Sequence, residues 1–242
     1  MNNIRTVSDT KRAFYSIHTR PINSVYRRVI EELMVEMHLL SVNANFQYDP
    51  IYALGVVTAF DRFMEGYLPA SDQESMFNAL IGALQDDPQR YRAEANRLQE
   101  FAQTLSVKEI LSWADVAAAD SEVHNDLQSY FQKIATHSEY KYSRLLAIGL
   151  FTLVEQADPQ VLEDKEATQK ILAQLALGLN LPEDKLQKDL ELYRSNLEKL
   201  MQARTVMDEL TQAERKRREQ RAAKPAVTPT PDSAPEEVSS DS

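Results

Sequence analysis

The 242-residue sequence predicts an all-α fold: a multi-helix bundle over residues 1–181, a long projecting C-terminal helix over 182–223 whose first half packs on the bundle, and a disordered tail over 224–242. Three observations predict it. Residues 21–67 spell out two helices complete with start and stop residues. Only five glycines are present, too few for the tight turns and close backbone approaches of a sheet-rich or phosphate-binding protein. No helix breaker lies between Pro182 and Pro225, which leaves room for a rod of ~60 Å. With 43% apolar residues, the chain can fill the core of one helical domain or two.

A short first helix is expected from about Ser8 to His18, with Ser8 as its cap. The second follows Pro21 and is capped by Asn23; Val25, Val29, Ile30, Leu33, Met34, Met37 and Leu40 recur at helical spacing and mark its buried face. Asp49 caps the third, Pro50 takes the first helical position where its missing N–H costs nothing, and Gly66 ends it. Ser71 and Glu74 have capping-box spacing for the fourth helix, whose core face is Met76, Phe77, Leu80, Ile81 and Leu84. Asp87-Pro88 opens the fifth, and a second capping box at Ser106 and Glu109 opens a short sixth ending near Trp113.

Ala114 to Asp120 reads as a break, because Val123, Leu127, Tyr130, Phe131 and Ile134 restart an apolar face out of register. From about Ser138 to Ala157 the helix is apolar on nearly every side. It should therefore be central, with Gly149 permitting one close approach. Asp158-Pro159 ends it. A helix near Gln160 to Leu179 follows, and Asn180-Leu181-Pro182 starts the last one. Along that helix Leu186, Leu190, Tyr193, Leu197 and Leu200 keep a 4-3-4-3 seam, which weakens at Arg204, Met207 and Thr211. The tail is rich in Pro, Ser, Thr and acids and cannot bury enough apolar area to offset its ordering entropy.

Charge is unevenly spread around the net of −10. Residues 1–28 carry Arg5, Lys11, Arg12, Arg20, Arg27 and Arg28 against Asp9, whereas residues 29–211 sum to −15. A second basic run, Arg215, Lys216, Arg217, Arg218, Arg221 and Lys224, stands against Glu214 and Glu219. Arg5, Lys11, Arg12, Arg27, Arg28, Arg215, Lys216, Arg217 and Arg218 are the candidate contacts to a partner or membrane, since basic patches suit anionic surfaces. For 215–221 the plainer reading is bases complementing a helix C-terminus.

The residues give no catalytic constellation. With no cysteine there is no disulfide, thiolate nucleophile or thiolate metal site. His18, His38, His124 and His137 are scattered, and no Glu-x-x-His pair, Gly-rich phosphate loop or Gly-x-Ser-x-Gly frame occurs. The reading is a non-enzyme with no cofactor, no metal and no small-molecule substrate. Asp49 is explained by capping and Asp61 by surface solvation, while Trp113 reads as core filler. Tyr15, Tyr26, Tyr52 and Tyr67 could stack on bases, yet they fall on apolar faces. The most apolar windows, Ala53 to Phe60 and Leu145 to Val154, fall short of the ~20 residues that span hydrocarbon, so the chain is expected to be soluble.

TVSDTKRAF (6–14), PINSVYRRVIEELMVEMHLL (21–40) and YDPIYALGVVTAFDRFMEGY (48–67) resemble the thylakoid formation protein family, also called photosystem II biogenesis proteins. YSRLLAIGLF (142–151) and LPEDKLQKDLELYRSNLEKLMQA (181–203) are similar to it too, so five separated segments agree in order. The resemblance implies an all-helical accessory factor that works with FtsH-type membrane protease complexes during photosystem II repair and thylakoid formation. With no room for a transit peptide before the first helix, it implies the cyanobacterial type, peripheral on the cytoplasmic side of the thylakoid membrane with a cytoplasmic pool. The alternative is a basic-patch binder of anionic lipid or nucleic acid; the −15 of residues 29–211 counts against it, since a polyanion would be repelled over most of the surface.

Overall fold

The structure, a computed structural model, describes residues 5–116 and 125–223, excepting the side chains of Asp208 and of 221–223. The expected break at Ala114 to Asp120 falls partly outside these residues. Val123, His124 and the tail from Lys224 lie outside them altogether. Among the described residues there are ten α-helices and no strand: α1 (Val7–Ile17), α2 (Ser24–Ser41), α3 (Pro50–Met64), α4 (Ala70–Ala83), α5 (Pro88–Ala102), α6 (Val107–Ala114), α7 (Asp126–Thr136), α8 (Arg144–Ala157), α9 (Lys165–Gly178) and α10 (Glu183–Ala223). By internal contacts the chain divides into one unit over Met1–Leu200 and a second over Met201–Ser242.

Local chemistry sets the helix starts. Asn23 accepts from the Val25 amide, Asp49 from Tyr52, Asp87 from Gln89, and Ser106 and Glu109 form a reciprocal capping box, all as read from sequence. Gly66, at φ 75°, supplies the left-handed turn after α3. Four expected starts are corrected. Thr6, not Ser8, caps α1, through a box in which Asp9 takes the place usually held by Glu or Gln. The Ser71–Glu74 box does not form: α4 begins at Ala70 behind Pro69, so Ser71 is already helical and no side chain caps this end. α8 starts at Arg144, because Ser143 rather than Ser138 bonds the amide three residues on. The helix expected from Gln160 is a 3-10 turn, Pro159–Glu163, followed by α9 with Asp164 as cap.

The core of the first unit is built around α3 and α8. Ten of the fourteen residues of α8 are buried, as its all-round apolarity requires; α3 is more enclosed still, with thirteen of fifteen buried. The two helices touch backbone to backbone. A Cβ on Gly55 would lie 1.7 Å from the Leu145 carbonyl oxygen, and one on Gly149 would lie 2.0 Å from that of Ile51. The close approach expected at Gly149 is therefore answered by a second glycine across the contact.

Outer helices are fastened to this pair by aromatic and ionic staples. Arg92 on α5 places one nitrogen 2.8 and 2.6 Å from the two Asp61 carboxylate oxygens of α3 while its guanidinium sits 3.9 Å from the Phe77 ring centroid of α4. Asp61, expected to be merely solvated, is thus half of an interhelix ion pair. Tyr193 of α10 meets Phe63 edge-on at 5.5 Å. The α10 seam is buried at Leu186, Leu190, Tyr193 and Leu200 and partly buried at Leu197. In the second unit α10 continues as helix, and Met201, Val206 and Leu210 are exposed.

Candidate interaction surface

Most of the ionisable groups that the fold draws inward hold helices together. Burial raises the pKa of Asp49, although it caps α3 and accepts the Tyr140 hydroxyl at 2.7 Å. Asp72, nearly inaccessible on α4, pairs with Arg20. His18 is buried at the end of α1 with Nδ1 2.9 Å from the Ser75 hydroxyl, and burial lowers its pKa. His38 shares a buried 2.9 Å hydrogen bond with Thr10, and His137 Nε2 lies 2.7 Å from the Gln47 side-chain amide. Among the described residues no three His, Cys, Asp or Glu converge as metal ligands.

Of the basic residues singled out in the sequence, Lys11, Arg27 and Arg28 come together. They line a surface groove of about 750 Å³ along the outer side of α2, with Glu32, Val35 and Leu39. A second groove of about 510 Å³ continues it between the start of α8 and the start of α10, bounded by Lys141, Tyr142, Lys185 and Asp189. Glu36, Leu39 and Arg144 belong to both, so the two make one furrow. Arg5 donates to the Ala83 carbonyl at the end of α4 and Arg12 lies 3.4 Å from Asp9; neither lines the furrow. In the second unit Arg215 pairs with Glu219 one turn on at 3.0 Å, while Lys216, Arg217 and Arg218 are exposed.

Electrostatically the furrow is a string of matched pairs with a basic remainder. Lys11 binds Glu31 at 2.8 Å, the Tyr15 hydroxyl donates to the same carboxylate at 3.0 Å, and Arg28 binds Glu32 at 3.0 Å. Two of the bases counted in residues 1–28, Lys11 and Arg28, thus meet acids on α2. Glu36 sits at the N-terminus of α8, paired with Arg144; burial raises its pKa and the arginine opposes the rise. Asp189 accepts the Tyr142 hydroxyl at 2.9 Å, and Lys185 lies 5.0 Å from that ring's centroid. Arg27, Lys141 and Lys185 are exposed and hold no ion pair among the described residues.

Leu39, 57% exposed, projects where the two grooves meet, and Val42, 46% exposed, follows one turn on. Sequence reasoning missed Leu39, Glu36, Lys141, Arg144, Lys185 and Asp189. Leu39 alone left a signal, as an apolar residue lying off the stripe that ends at Leu40. Of the tyrosines weighed for base stacking, Tyr26, Tyr52 and Tyr67 are buried and Tyr15 is 37% exposed. Trp113 is half-buried and stacks on Phe101 with planes 9° apart.

Comparisons with known proteins agree along nearly the whole chain. Residues 6–222 match the thylakoid formation protein family. Protein Thf1 of Nostoc punctiforme is 55% identical over 237 residues, covering 98% of this chain and all of that protein. Protein Thf1 of a second Nostoc species is 56% identical over 232 residues, covering 95% of this chain and 99% of that one. The solved structure of Psb29 at 1.55 Å superposes with a TM-score of 0.75 at 46% identity, covering 88% of this chain and 98% of that chain.

Proposed function

The chain belongs to the thylakoid formation protein family, and from that premise we propose that it is a non-enzymatic accessory factor that binds and supports membrane FtsH-type protease complexes during photosystem II biogenesis and repair. A thylakoid-related role comes with the family. The finer reading is supported by one observation above the rest: the buried carboxylates are spent on structure, with Asp49 on a cap and Tyr140, Asp72 on Arg20 and Glu36 on Arg144. What remains for biology is surface. A factor that binds only the assembled form of a partner stabilises that form by mass action and needs no reacting group.

Among the described residues no helix is long and apolar enough to cross a membrane. Our reading is a peripheral component at the cytoplasmic face of the thylakoid membrane, held by the protease complex; the family's thylakoid-related role supports the membrane part of it. Lipid or nucleic-acid binding through the amino-terminal bases is the weaker reading, because Lys11, Arg12 and Arg28 are already engaged with carboxylates. The test is affinity capture from detergent-solubilised thylakoid membranes with the full-length tagged protein. Recovery of FtsH-type subunits above an unrelated helical control is expected; equal recovery by both proteins defeats the reading.

A further inference from the structure

We infer that the furrow along α2 is a docking surface for an acidic amphipathic helix of a protein partner. The inference deepens the accessory-factor reading and rests on it only for the existence of such a partner. In a protein of net charge −10, the furrow carries six cations against four anions. Three of those anions are neutralised in place by Lys11, Arg28 and Arg144. The exposed remainder is Arg27 at one end and Lys141 and Lys185 at the other, where the partly exposed Asp189 offsets one charge, with Val35 and the projecting Leu39 between them. Arg27 precedes Leu39 by twelve helical positions, about 18 Å along the axis. Carboxylates near both ends of a helix of about 12–15 residues would reach the cations, and its apolar face would cover Val35 and Leu39.

Charge selects the occupant. A basic helix with the same apolar face would meet net positive charge at both ends and be repelled there. An anionic bilayer would be drawn to the same cations, but it offers no fixed register of carboxylates to match cations at the two ends of an elongated furrow with Leu39 between them.

The test uses the full-length protein and three probes in moderate salt: a helical peptide of about 14 residues with leucines on one face and glutamates at both ends, its lysine counterpart, and phosphatidylglycerol vesicles. Fluorescence anisotropy should show binding of the acidic peptide alone. Charge reversal at the exposed positions (Arg27→Glu, Lys141→Glu and Lys185→Glu together) should weaken it about tenfold or more. Leu177→Gln, at an exposed site on α9, should leave it unchanged. Hydrogen exchange on the unaltered protein supplies a readout free of any folding defect: the peptide should slow amides in the carboxy-terminal half of α2 and at the start of α8. Equal binding of both peptides, undiminished binding by the reversed variant, or vesicle binding without peptide binding would each overturn the inference. If membrane capture fails while the acidic peptide still binds here, the protease reading falls and the surface stands.

Discussion

Adding one methyl group to Gly55 should cost about as much as deleting several carbons from a buried leucine elsewhere in this core. In Gly55→Ala the new carbon would lie 1.7 Å from the Leu145 carbonyl oxygen, 2.7 Å from its carbon and 2.9 Å from the Gly149 nitrogen, where ordinary contact starts near 3.4 Å. All three atoms belong to the α8 backbone, so no side chain can swing aside, and the helices must part by roughly 1 Å or more. A gap of that size forfeits a quarter to a half of each dispersion contact along the interface. Overpacking costs about 1–3 kcal/mol and occasionally more; with backbone on both sides we take ~3–4, offset by ~1 for alanine's better helix propensity. The net is about 2–3 kcal/mol, or a midpoint lowered by roughly 5–10 °C for a chain of this length.

Gly149→Ala should behave alike, and the double variant should cost less than the two added, because helices already parted accept the second methyl. Gly82→Ala is the internal control: its Cβ would meet only Ile17 Cδ1 at 3.4 Å, so the same substitution should stabilise by ~0.5–1 kcal/mol. Thermal and urea melts followed by far-ultraviolet circular dichroism decide the matter. A neutral Gly55→Ala, or a Gly82→Ala as damaging as Gly55→Ala, refutes the reasoning.

Asp49→Ala removes a helix cap and strands the Tyr140 hydroxyl, about 2–3 kcal/mol together, while Asp49→Asn keeps an acceptor and should be nearly neutral in urea denaturation. Arg144→Met leaves Glu36 unpaired; with a fifth of that side chain still facing water, a loss of about 2 kcal/mol is expected at neutral pH rather than the ~3–5 of a fully buried pair. Burial already holds the Glu36 pKa above its ordinary value, so the variant's deficit should shrink as pH falls and the carboxyl takes up a proton; a deficit that grows on acidification contradicts this. Asp9 and Glu109 run the other way. Hydrogen bonds from Thr6 and Ser106 lower their pKa values, so the stability they lend is present above the ordinary 3.8 and 4.5 and is lost as pH falls through the folded values. Carboxyl NMR titrations should place both midpoints below those figures.

Where an element depends on neighbours within a turn, its sequence is explicit. Asn23, Asp49-Pro50, Asp87-Pro88 and the Ser106–Glu109 box could be read directly because a cap is a contract between residues two or three apart. Two of the four misread starts arose where two candidates competed locally, Ser8 against Thr6 and Ser138 against Ser143. In each case the deciding factor was which backbone the tertiary structure left extended. The enclosure of α3 was less visible than that of α8, since Tyr52, Thr58 and Asp61 dilute its apolar signal although Tyr52 and Thr58 are buried. The furrow could not be read at all. Its walls come from residues 11–43, 141–144 and 185–189, and a running charge count merges pairs that only the packed helices bring together.

The mutual dependence of α3 and α8 also bears on how the protein comes into being. Some 80 residues separate the end of α3 from the start of α8, and at ~5–20 residues per second a ribosome takes roughly 4–16 s to make them. Throughout that interval the side of α3 that α8 will cover has no mate, although α5 can already pack on another. The growing chain must either cover that side provisionally or depend on a chaperone, and the α3–α8 contact closes only when the second glycine arrives.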